Sequence, residues 1–408
     1  MKKNEKTVKI LKYVTIALVA FLVLELIYFG YKLIDNRNNT TYYSGINSVI
    51  EIDKGYVAVG FSDAKHSDYL EFNSPGYIKP YIWVYDEDMK ITKEVRLDLG
   101  YNGEFRDLIK VEDGYVVVGA LEMSETNHRD AATEGVIIKY DNDFKLVWRK
   151  NYNALGDTTF NVIKKYKDTY FVGGSSIFES SAIGQDTKGG AIILEYNDEG
   201  ERLQEINHGG ATSNGIYNDI EIVKDGIIAV GVKHKGTGII YKYDFNGKEL
   251  WHNYFGYTDI KGLTSITKLN ENEFVITGSK LEDKNMTDSY EAALIKINNK
   301  GKIVSEEYFL KEKISRFDDS VLINDNLYVV GVFGNKKDTT LDNDSIVVTY
   351  DKNLEKQEEK EYVGDNTYTL NKIINVDNTY LVVGNTNSKL KVNNIKTNGL
   401  DYYEIITK

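Results

Sequence analysis

A run of Tyr, Val and Ile that ends in Gly recurs along the chain. Gly55–Gly60 reads GYVAVG, Gly114–Gly119 GYVVVG, Thr169–Gly174 TYFVGG and Gly226–Gly231 GIIAVG; Glu273–Gly278 (EFVITG), Leu327–Gly331 (LYVVG) and Thr379–Gly384 (TYLVVG) continue the series. The spacings between the closing glycines are 59, 55, 57, 47, 53 and 53. A period this long marks a repeat architecture, and short β-branched or aromatic runs bounded by Gly and Asp predict strands. Upstream of each run stands an apolar residue at a nearly fixed offset: Ile46, Phe105, Phe160, Tyr217, Leu263, Phe317 and Leu370. Between the two lie tight-turn pairs such as Asp113-Gly114, Asp168-Thr169 and Asp225-Gly226, so each unit opens with a hairpin.

A third run follows, as in YIWVYD, GVIIKYD and GIIYKYD. Six times it closes on Asp or Asn (Asp86, Asp141, Asn197, Asp244, Asn298, Asp351), residues whose own side chains close turns. A fourth run then appears, as in LVWRKNY and LWHNYFG. Four short strands per unit and no helical periodicity predict an all-β fold, a seven-bladed β-propeller. The seventh unit stops at DYYEIIT without a fourth run. Because Thr40–Gly45 resembles endings such as Asn253–Gly256, residues 38–45 are expected to complete that blade and close the ring.

The N-terminus breaks the pattern. Residues 13–34 are 22 mostly apolar positions, about 33 Å of helix at 1.5 Å per residue, enough for a hydrocarbon core of about 30 Å. Lys2, Lys3, Lys6, Lys9 and Lys12 precede them. This predicts a basic cytoplasmic tail (1–12), an uncleaved signal anchor (13–34) and an extracytoplasmic propeller (35–408) at the cell membrane. The rival is a cleaved signal peptide with Ala17 and Ala20 before the cut. Glu25, a charge inside the span, is a candidate intramembrane contact; its alternative is a protonated or snorkelling side chain.

Composition narrows the chemistry. There is no Cys, which excludes disulfides, thiol nucleophiles and thiolate metal sites. The chain carries a net −12, and residues 1–34 hold six Lys and two Glu, leaving −16 for the rest. Such a surface repels phosphate backbones, so no nucleic-acid partner is expected.

The unit, roughly GYVVVG, then A-x-I-I-K-Y-D-x-x-G-K-x-x-W, then Y-x-G, resembles the repeats of secreted and membrane-anchored bacterial propeller proteins over nearly all of 38–408. Asp244, Gly247, Lys248 and Trp251 are also similar to the tryptophan-docking repeat of pyrroloquinoline-quinone dehydrogenases. At that position stand Trp148 and Trp251, whose expected role is packing between blades. The Trp-Asp ending of WD40 repeats is absent.

No nucleophile elbow, HExxH helix, phosphate loop or EF-hand loop is present, and no catalytic residue, cofactor or metal site is nominated. Strand direction places the long connections 61–80, 120–135, 175–190, 279–291, 332–344 and 385–399 on one face, here the loop face, where binding usually resides. Blade four has only Val232 to Thr237 there, which predicts a notch. Two constellations fall on this face. Arg106, Asp107, Asp219, Asp318 and Asp319 sit near the start of innermost strands and are expected to ring the channel mouth, as a cation or basic-peptide site or as a solvated rim. His66 and His128 come from adjacent loops and could share a zinc, or be ordinary loop residues. The leading expectation is a non-enzymatic module that binds a protein or small ligand at the loop face. The alternative is an extracytoplasmic enzyme acting on carbohydrate or a quinone-type substrate.

Overall fold

A computed structural model of the protein describes residues 44–62, 78–99, 102–122, 133–152, 157–178, 188–208, 215–233, 236–259, 261–281, 289–334, 343–363, 368–386 and 406–407. The described residues are all strand and turn, and none of their segments is a helix long and apolar enough to cross a membrane. The expected anchor, with Glu25, lies outside them.

Six units fold as four-stranded antiparallel sheets in simple sequence order, innermost strand first. The innermost strands are Ser44–Ile52, Gly103–Val111, Thr158–Tyr166, Gly215–Val223, Leu263–Asn270 and Ile314–Ile323. The expectation of seven blades is corrected here: the chain builds six complete blades. After them comes a three-stranded sheet of Tyr368–Val376, Thr379–Thr386 and Ile406–Thr407. Its outermost described strand holds only two residues, Ile406 and Thr407, on Val382 and Leu381, and among the described residues no fourth strand joins it. We call it the closing sheet, because it packs between blade six and blade one. Of the expected closing strand 38–45 only the last two residues are described. Ser44 and Gly45 belong to the innermost strand of blade one, paired with Ser62 and Phe61, and residues 38–43 lie outside the described set.

The core lies between sheets. Val57, Val59 and Ile82 of blade one meet Phe105, Leu108, Val117, Val136 and Ile138 of blade two, all nearly inaccessible. Burying one such side chain contributes roughly 1.5–3 kcal/mol, and that gain exists only when a neighbouring sheet supplies the other wall. The ring is therefore one cooperative core, not a row of independent units.

The turns follow the expected chemistry. Oδ1 of Asp86, Asp141, Asp244, Asn298 and Asp351 accepts the N–H groups two and four residues on, and Asn197 accepts from Glu201 N. The first hairpins have two-residue turns, placed one residue earlier than expected: Val111 pairs with Gly114 around Glu112-Asp113. Both tryptophans dock on the next blade. Nε1 of Trp148 donates to Asp198 O (2.9 Å) and that of Trp251 to Asn299 O (3.2 Å), each ring lying over the glycine of that turn, Gly200 or Gly301.

Candidate site at the channel mouth

Every innermost strand carries the same irregularity. In blade one Ile46 faces Gly60 but Ser48 faces Val59, so Asn47 is one residue too many. The same slip sets out Arg106, Asn161, Asn218, Thr264, Asp318 and, in the closing sheet, Asn371. Each is a β-bulge, which leaves a residue outside the ladder and re-aims its side chain. All of these extra residues are polar, and they point the ring inward near the loop-face end of the channel.

Most of them reach the next sheet. Nδ2 of Asn47 donates to Phe105 O (2.8 Å), that of Asn161 to Tyr217 O (2.8 Å) and that of Asn218 to Leu263 O (2.8 Å). Thr264 Oγ1 donates to Phe317 O (2.7 Å), and Asn371 Nδ2 to Ile46 O (3.4 Å) across the ring closure. Each acceptor is the carbonyl just before the neighbour's own bulge, so one irregularity supports the next. Arg106 departs from this pattern: it is held by Glu104 and donates to Asn161 Oδ1. Asp318 is clamped by Arg316 through Nε (2.8 Å) and Nη2 (3.2 Å).

The residue after each bulge forms a second ring. Three of these are Asp, on alternate blades, and each takes a main-chain N–H from the following sheet: Asp107 from Ile163 (2.9 Å), Asp219 from Ile266 (3.0 Å) and Asp319 from Ile373 (3.0 Å). Ser48 Oγ also donates to Asp107 (2.8 Å), and Lys372 Nζ lies 3.2 Å from Asp319. Burial would push the Lys372 ammonium down, but Asp319, Asp219 and Asp107 together outweigh it and raise its pKa. The chain thus places its own cation among the carboxylates. Burial likewise opposes ionisation of Asp318, yet Arg316 and Lys261 hold it below the usual range. Two residues further along the strand of blade four, burial pushes Glu221 up to about 7, partly countered by Lys164.

These residues line an open polar pocket of about 120 Å³. All of Arg106, Asp107, Asp219, Asp318 and Asp319 line it, drawn together from three blades. His66 and His128 lie outside the described residues, and among those described no group of three His, Asp or Glu is arranged to hold a metal ion. The connection above blade four is short: Lys233 and Thr237 are bridged by three residues closed by Gly236 N on Lys233 O.

The bulge asparagines and Lys372 escaped the sequence reading. Their signal was present: an Asn directly follows the repeat's apolar residue at Ile46, Phe160, Tyr217 and Leu370.

No family model matches the chain, and no curated protein matches it. Among solved structures it is similar to the β-propeller domain of the Trilobed protease from Pyrococcus furiosus, described as having an open velcro topology. The TM-score is 0.44 at 12% identity, covering 84% of this chain and 89% of that one.

Proposed function

We propose that the protein is a membrane-anchored, extracytoplasmic propeller that binds a protein or small ligand at its loop face without catalysing a reaction. The observation that carries this reading is the engagement of every mouth carboxylate. Asp107, Asp219 and Asp319 accept main-chain amides of the next sheet, and Asp318 is held by Arg316. General acid–base chemistry wants a carboxyl that can reach a reacting atom and exchange its proton. These carboxyls instead stiffen the mouth of the channel, and a rigid frame suits recognition. The propeller fold by itself would not choose between roles. The N-terminal span, with its basic flank, supports display outside the cytoplasmic membrane.

Photo-crosslinking in intact cells tests this. A photoreactive residue at Asp98 or Lys313, both exposed on connections at the loop face, should capture the same partner; one at Glu87 or Lys300, on turns at the opposite face, should not. Equal capture from both faces rejects the assignment. So does a hydrolytic activity that disappears in Asp107→Asn while the fold is kept.

A further inference from the structure

Each blade ends in an outer strand whose far edge, among the described residues, pairs with no further strand. An open edge invites another strand, and mid-strand charges are the usual protection. Five of the six outer strands have it: Lys93 and Glu94, Arg149 and Lys150, Glu205, Glu306 and Glu307, and Glu358 to Lys360. The outer strand of blade four, Glu249–Tyr257, does not. It is the longest, at nine residues against six or seven, and its only formal charge is Glu249 at the first position. Leu250, Tyr254 and Tyr257 are 43%, 49% and 37% exposed.

Among the described residues this edge is also stiff, and short of Tyr257 no other strand pairs with it. On its inner side Trp251 and Asn253 donate to Asn299 O and Gly301 O of the next blade, and Phe255 is buried. The blade has the three-residue connection rather than a long loop above it. At its far end the edge already makes one bridge beyond its own sheet, with Leu281 N donating to Tyr257 O (2.7 Å).

We infer that Glu249–Tyr257 receives an extended segment of a partner protein as an added fifth strand. Unpaired N–H and C=O groups on a rigid edge recognise an extended backbone, and alternate side chains select among candidates. Leu250, His252 and Tyr254 share one face, so the incoming segment carries apolar or aromatic residues at alternate positions. The protein's net −12 draws a segment bearing Lys or Arg and repels a second copy of this chain. The surface is remote from the channel mouth, so its test stands whatever the mouth binds.

The probe is a synthetic peptide of alternating Val and Thr flanked by Lys, added to the full chain in detergent and followed by hydrogen–deuterium exchange. Exchange across 250–257 should slow by ~10-fold or more, the response of amides drawn into a ladder. The double variant Leu250→Lys, Tyr254→Lys should lose the effect while melting like the parent. A peptide with Pro at alternate positions should give none. No slowing at 250–257, or equal slowing at Leu146–Tyr152 and Arg202–His208, overturns the inference. A concentration-dependent dimer that protects 250–257 without peptide assigns the edge to a second copy and also overturns it.

Discussion

The glycines that end the Tyr/Val runs are the smallest feature on which the ring depends. Each pairs with the apolar residue upstream, as Gly119 does with Phe105, directly beside a bulge. The bulge swings a carbonyl of the opposite strand inward, and a Cβ at Gly119 would stand 2.0 Å from Glu104 O. A main-chain oxygen cannot move aside as a flexible side chain can. Gly119→Ala is therefore expected to destabilise by about 2 kcal/mol or more, in the upper part of the overpacking range. Gly256→Ala, where nothing lies within 4 Å, should stay within about 0.5 kcal/mol. Urea denaturation of the two variants makes the comparison. Glu221 offers a second test. Burial lifts its carboxyl to about 7, against Lys164 and Lys268 which favour the charge and Asp219 and Glu271 which do not. The folded state then holds this proton more tightly than the unfolded chain does. Stability should fall as pH rises from about 4.5 to about 7 and stay reduced above that. In Glu221→Gln the melting temperature should decline less between pH 5 and pH 8; an identical decline rejects the assignment.

At the scale of strands, what the sequence shows and what it hides have different physical origins. The four runs of each unit were readable because alternation and turn residues act locally: Asp141 closes its turn with its own oxygen, wherever the blade sits. Docking of Trp148 and Trp251 between blades was readable for a similar reason, since a large ring followed by a glycine-bearing turn in the next unit is a local pairing of shapes. The bulges were not. A strand with one residue too many has the same hydrophobic pattern as a regular one, and its trace is arithmetic. Gly60 lies fourteen residues beyond Ile46, and with a two-residue turn a regular ladder would have set it against Asn47 instead. The acidic and basic residues near the strand starts could be gathered to the mouth from chain direction alone. Their partners could not, because amides such as Ile163 N and Ile266 N belong to the next unit and carry no side-chain signature.

For the whole molecule the decisive junctions are those of the closing sheet. On the side of blade six it is held by Ile373 N on Asp319 and by Lys372, whose ammonium answers carboxylates from three blades. Removing one partner of a buried pair leaves the other charge uncompensated, so Lys372→Met should cost about 3 kcal/mol, near the low end for such losses because the lysine is 27% exposed. Limited proteolysis should then cut within 368–386 before it cuts the blades; uniform resistance would show that the lysine does not hold the sheet. This level was the least readable in the sequence. The repeat count suggested seven blades, the last short of a fourth run of its own, whereas the described residues form six four-stranded sheets and one three-stranded sheet whose outermost strand is reduced to Ile406–Thr407.

On its other flank the closing sheet meets blade one through apolar packing around Ile46, Val49 and Val383, and through Asn371 Nδ2 on Ile46 O. Among the described residues no sheet mixes strands from the two ends of the chain. Within the described residues this seam is held by side-chain packing and by that one hydrogen bond.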